Sequence, residues 1–142
     1  MTPLAYGAES LPPELFRAVV EQAPDAMIYA DLGGAIRIWN QGAETTFGYA
    51  AAEVLGKSLD VIIPERFRRA HWEGFRKAVE TGVTQYARRV LTTRSVHKNG
   101  SKLYVDLSFG LVRNKDGAVT GVLAIGRDGT ERHLSGSAAR PS

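Results

Sequence analysis

Apolar and polar positions along this chain follow two periods, and the change from one to the other falls at Gly82. Over residues 64–82 (PERFRRAHWEGFRKAVETG) the apolar positions recur at helical spacing. At about 100° per residue, Phe67, Ala70, His71, Gly74, Phe75, Ala78 and Val79 fall on one stripe. Pro64 suits a first helical position, where its missing N–H costs nothing, and Gly82 suits a left-handed stop. Glu65–Arg69, Glu73–Lys77 and Arg76–Glu80 form i,i+4 pairs on the other face. Beyond Gly82 the period becomes two. Residues 86–97 and 102–113 read as strands joined at Lys98-Asn99-Gly100. In the second of them Leu103, Val105, Leu107, Phe109 and Leu111 face one way, and Tyr104, Asp106 and Ser108 the other. A turn at 114–117 leads to a third long strand over 118–127, followed by a polar tail rich in small residues.

Upstream, residues 14–22 predict a short amphipathic helix stopped by Pro24. Residues 26–31 and 35–39 predict two strands around Leu32-Gly33-Gly34. Asn40 caps a helix over 41–47 closed by Gly48. Another helical turn spans 51–55, and 57–63 leads into the long helix. The order is helix, two strands, helices, then a three-strand meander. That is an α+β layout: one five-stranded antiparallel sheet with helices packed over one face. The expected division is an N-terminal extension at 1–13, a single domain at 14–132 and a tail or linker stub at 133–142.

With 142 residues, 44% of them hydrophobic, the chain suffices for one domain with a real core. There is no cysteine, which excludes disulfides, thiolate metal ligands and a flavin photo-adduct, and fits a cytoplasmic setting. The longest apolar run falls short of a membrane span, and the first residues lack a signal-peptide layout. The net charge of +3 is modest and its basic residues concentrate between Arg66 and Lys102. No basic groove with interleaved aromatics accompanies them, so nucleic acid is not the expected partner.

His71 is the anomaly. It lies near the middle of an apolar stripe, between Phe67 and Phe75. An imidazole there is a hydrogen-bonded core residue, is opened to solvent by a groove, or binds something. His97 and His133, at a hairpin end and in the tail, are expected to be solvated. Met27 is expected in the core, within possible reach of a cofactor.

Four segments in order resemble the PAS family: WNQGAETTFGY (39–49), AAEVLGKS (51–58), HKNGSKLYVDLS (97–108) and GRDGTER (126–132). The resemblance covers residues 15–132 and implies the PAS fold. It does not by itself fix a function, since PAS domains bind haem, flavin or small acids, or bind nothing and mediate dimerisation. Within the family, Pro64-Glu65-Arg66-Phe67-Arg68-Arg69-Ala70-His71 is similar to the Pro-Glu-x-aromatic-Arg-x-x-His run of the haem-binding FixL-type and Dos-type sensors. There the histidine is the proximal iron ligand, which implies His71 as metal ligand to haem b.

The same resemblance puts Phe67, Phe75, Leu107 and Phe109 against the macrocycle. Arg68 and Lys77, with Arg76 and Arg88, become candidate partners of the propionates. FixL-type sensors carry a distal arginine on the strand after the helix, and the matching position here is Leu91. Arg89 stands two residues earlier, where Dos-type sensors can have a methionine ligand. Either Arg89 serves as the polar distal group or the distal side is apolar, which disfavours oxygen relative to CO and NO. Asp128-Gly129-Thr130 matches the Asp-x-Thr that closes a PAS domain; glycine in place of a branched residue is expected to loosen that exit.

The resulting expectation is a sensor domain and not an enzyme. It binds O2, CO or NO at His-ligated iron, forms a homodimer, and signals to an effector in trans or in a missing part of the chain. No membrane partner is expected. The rivals are a cofactor-free interaction module with a buried structural histidine, and a haem redox enzyme.

Overall fold

Local chemistry sets the first elements of the computed structural model, which describes residues 10–84 and 89–139. Helix α1 (Pro13–Gln22) starts with proline at its first position. Strands β1 (Ala26–Asp31) and β2 (Ile36–Trp39) flank a turn in which Asp31 Oδ1 accepts from the N–H groups of Gly33 and Ala35, both at 3.0 Å. Helix α2 (Gln41–Phe47) is capped by Asn40, whose side chain accepts from Ala43 N at 2.9 Å. The short α3 (Ala51–Val54) leads to 3-10 turns at Leu59–Ile62 and Glu65–Phe67. Helix α4 (Arg68–Thr81) then runs to Gly82, which takes the left-handed conformation at φ 70°. The helix predicted from residue 64 thus opens as a 3-10 turn and becomes α-helical only at Arg68.

Strands β3 (Leu91–Val96), β4 (Lys102–Arg113) and β5 (Val119–Asp128) complete the sheet. Its order is β2-β1-β5-β4-β3, with every neighbouring pair antiparallel. β3 starts later than the sequence pattern predicts. Among the described residues its pairing begins with Leu91 opposite Leu107, and the part of β4 beyond Leu107 pairs with β5. Of the earlier predicted positions, 86–88 lie outside the described residues. The tail, predicted as a linker, is helical at α5 (Thr130–Ala139).

The period-two alternation sorts the sheet faces. Ala26, Ile28 and Ala30 of β1 and Leu103, Val105 and Leu107 of β4 point inward and are buried. With the exception of Ala30, they join Ile36, Trp39, Ala43, Phe47, Val54 and Ile62 in one cluster under α2, α3 and the first 3-10 turn. No residue of α4 belongs to that cluster or is fully buried. The fold therefore closes its core without the helix that carries His71.

The first turn of α5 docks on the opposite face. Gly129 N donates to Tyr104 O at 2.7 Å, Tyr104 N donates to Thr130 Oγ1 at 2.9 Å, and the His133 ring stacks on Tyr104 at 4.0 Å. Arg132 pairs with Asp106 across the same face. A Cβ at Gly129 would stand 2.5 Å from Asp106 Oδ2. Glycine here leaves room for the Asp106–Arg132 pair at the exit it was expected to loosen. His133 is likewise not simply solvated. Among the described residues, no helix is long and apolar enough to cross a membrane.

Candidate functional site

Helix α4 lies beside the β1–β2 turn at one end and meets β4 at the other, where Arg113 Nη2 donates to Gly82 O at 2.6 Å. Between these ends it turns His71, Trp72, Phe75, Ala78 and Val79 toward the protein, all half-buried, while Ala70 and Gly74 of the predicted stripe are exposed. His71, Trp72 and Phe75 form an aromatic cluster. The imidazole is 4.6 Å from the Trp72 ring, edge-on, and 6.1 Å from Phe75.

Among the described residues, two buried side-chain nitrogens have no hydrogen-bond partner: His71 Nδ1 and, on the outer sheet face, Arg94 Nη1. An unpartnered buried nitrogen costs about 1–3 kcal/mol, so it calls for an explanation. The hydrogen bond expected of a satisfied core histidine is therefore missing at Nδ1. Burial pushes the His71 imidazole below its ordinary value and the Asp60 carboxylate draws it part of the way back. The net effect keeps the ring neutral near pH 7, the form that ligates a metal.

The opposing wall comes from the sheet. Leu91, Leu107 and Phe109 lie on one face, because Leu91 pairs with Leu107 and Phe109 stands two residues on along β4. Leu107 is buried, whereas Leu91, Phe109 and Leu111 are only half-covered. Phe67, in the 3-10 turn before α4, remains 38% exposed. The inner face is thus dense at the top of β4 and incompletely covered toward its end.

The predicted cations fall in different places. Arg68 is engaged: Nε donates to Ile63 O at 3.0 Å and Nη2 to Asp60 O at 3.2 Å. Lys77 and Arg76 are exposed on α4. Arg89 is exposed and precedes β3, so it is not on the strand face that carries Leu91. Arg88 lies outside the described residues. Met27 points away from His71, into a pocket of about 230 Å³ on the outer face lined by Val20, Tyr29, Ile38, Val112 and Leu123. His97 packs over Gly48, where its ring occupies the place of a Cβ, and its Nδ1 accepts from Asn99 N at 3.1 Å. Sequence reasoning missed Trp72 and Asp60, which meet at 2.7 Å beside His71. A tryptophan on the flank of an otherwise charged helix was the available signal.

The chain belongs to the PAS family: the family described as the PAS fold matches residues 14–129. It is 33% identical over 104 residues to an uncharacterised protein of Azorhizobium caulinodans, covering 72% of this chain. It is 34% identical over 55 residues, 39% of this chain, to the sensor protein FixL of Bradyrhizobium diazoefficiens. It is 27% identical over 98 residues, 69% of this chain, to the oxygen sensor protein DosP of Escherichia coli. The matches span 14%, 11% and 12% of those proteins' lengths.

Among solved structures, a PAS domain from Colwellia psychrerythraea superposes with a TM-score of 0.72 at 24% identity, covering 84% of this chain and 98% of that one. An RNA-binding light-oxygen-voltage receptor also gives 0.72, at 25% identity, covering 99% of this chain and 40% of that one. The first of these likenesses bears on the fold alone.

Proposed function

We propose that this PAS domain is a haem-binding gas sensor in which His71 is the proximal iron ligand. The observation that carries the reading is the His71 imidazole itself: neutral, half-buried among aromatic rings, with Nδ1 lacking any partner. A packing role accounts poorly for it, since α4 contributes nothing to the closed core. A flat apolar cofactor would cover the half-exposed part of the inner face that Leu91, Phe109 and Leu111 leave open. The similarity to the sensor FixL and the oxygen sensor DosP supports the same class.

Haem b, when bound, supplies an iron with a coordination position for a diatomic gas. The chain's residues do the rest. Helix α4 aims the imidazole, Phe75 and Phe67 offer apolar surface on its side, and Leu91, Leu107 and Phe109 form the distal wall. Lys77 and Arg89 remain available to the propionates, and Arg68 becomes so if it leaves the Asp60 and Ile63 carbonyls. With Leu91 on the strand face and Arg89 off it, the distal wall carries no cationic donor among the described residues. That favours CO and NO over O2, whose partial negative charge needs one. Signalling would pass to an effector in trans or in a longer protein, through a homodimer, by a shift between two conformations.

The test is reconstitution with haemin, followed by absorption spectra of the ferric, reduced and CO-treated protein, beside His71→Ala. A sharp Soret band that shifts at each step and changes ligation in the variant is the expected result. Binding that ignores the substitution, or none, overturns the reading in favour of a cofactor-free interaction module. A yellow protein on purification would point to flavin.

A further inference from the structure

Trp72 ties α4 to two other segments of the fold, although the apolar stripe omits it. Its Nε1 donates to Asp60 Oδ1 at 2.7 Å, joining the helix to the 3-10 turn at Leu59–Ile62. The far edge of its ring fills the place where a Cβ at Gly34 would stand, which binds the helix to the β1–β2 turn. Those two anchors are themselves tied together: Ala35 bridges Ser58, Leu59 N donates to Gly34 O at 3.3 Å, and Asp60 N donates to Ser58 Oγ at 3.1 Å. Edge-on, the indole also touches Phe75 at 5.2 Å and His71 at 4.6 Å.

This matters because α4 has no fully buried residue to fix its rotation about its own axis. Side chains sit about 5–6 Å from a helix axis, so a rotation of roughly 20° carries an imidazole about 2 Å. A shift of that size is enough to misplace a ligand or a binding contact. We propose that Trp72, clamped between Asp60 and Gly34, is the positioning residue that sets the aim of His71. The clamp exists whether or not a cofactor binds; only the second half of its test rests on the haem reading.

Four variants test it: Trp72→Phe, Asp60→Ala, Asp60→Asn and the double Trp72→Phe/Asp60→Ala. The first half uses cofactor-free protein and reads nuclear Overhauser contacts from the His71 and Phe75 rings to methyl groups outside α4. The second uses haemin-loaded, reduced protein and reads the iron–histidine stretching band by resonance Raman spectroscopy. Trp72→Phe and Asp60→Ala each weaken the ring contacts at least twofold and shift or broaden the band. The double variant does no more than Trp72→Phe alone, because that change has already removed the hydrogen bond to Asp60. Asp60→Asn, which keeps the acceptor oxygen, restores the wild-type pattern. Unchanged contacts and band in Trp72→Phe and Asp60→Ala overturn the proposal, even if both variants unfold at lower temperature. If wild-type protein takes up no haem, the sensor reading fails separately and the ring contacts alone decide on Trp72.

Discussion

Asn40 is where the fold is most exposed to a single change, and Asn40→Ala should cost about 3–5 kcal/mol. The side chain is 3% exposed and makes bonds in two directions. Its Oδ1 accepts from Met27 N at 2.8 Å and Ala43 N at 2.9 Å. Its Nδ2 donates to Val20 O at 2.8 Å and Asp25 O at 3.0 Å, with Ala23 O at 3.4 Å. One residue thus caps α2, pairs with β1 and holds the end of α1. Losing an N-cap costs about 1 kcal/mol. Orphaning the Met27 N–H adds about 1–3 kcal/mol, and the freed carbonyls, which water can partly reach, add about 1 more.

Asn40→Ser should recover about 1 kcal/mol, since a serine hydroxyl caps α2 but is too short to serve α1 and β1. Urea unfolding followed by tryptophan fluorescence reads both. At a slope of roughly 2 kcal/mol/M the alanine midpoint falls by about 2 M. A loss under about 1 kcal/mol, or a serine variant no better than alanine, would refute this assignment of the bonds.

Two further predictions concern carboxylates. The Arg37 side chain, and then the Ala35 N–H, hold the Asp31 carboxyl below its ordinary value. Its folded pKa is therefore lower than its unfolded one. The stability it contributes is present above about pH 4 and is lost as the pH falls through the folded value. Urea midpoints should show wild type ahead of Asp31→Asn at pH 6, with the gap narrowing by pH 3; a constant gap would contradict the linkage. At the exit, Gly129→Ala should displace the Asp106 carboxylate from Arg132 and speed amide exchange in α5, while global stability moves by less than about 1 kcal/mol because the Arg132 end of the pair is exposed. Unaltered α5 exchange would show that the pair does not hold the helix.

Elements set by local chemistry were legible from the sequence to the residue. β1, α2 and β4 match their predicted limits, because a side-chain cap or a clean period of two specifies each without reference to a partner. Errors arose where a distant partner decides. The pattern predicts β3 over 86–97, yet among the described residues its pairing starts only at Leu91, although β4 runs on to Arg113: where two strands part is a tertiary matter that alternation does not encode. The tail's polar and small residues predict a linker, yet an Asp128 side chain accepting from Thr130 N at 2.8 Å and the Tyr104–His133 stack start a helix there. Met27 was misplaced because a strand's alternation gives two faces without saying which is inner.

For the site, the stripe on α4 located His71 but not what aims it. A helical stripe reports the face that meets a core, and α4 meets no core. Trp72 reaches around the helix flank to Asp60 and Gly34, contacts that no periodicity encodes. This distinction gives a direct test of what α4 is for. Leu107, 6% exposed in the central cluster, should lose about 2–5 kcal/mol on truncation to alanine. Phe75 is the larger residue and would lose at least as much if α4 were a core helix. Half-buried and outside that cluster, Phe75→Ala should instead cost less than about 1.5 kcal/mol, while changing the His71 surroundings and, if the proposed haem binds, its spectrum. Matched urea titrations of the two variants decide it. Equal losses would make α4 part of the core and His71 a packing residue; a large gap means the aromatic face of α4 is kept for something other than stability.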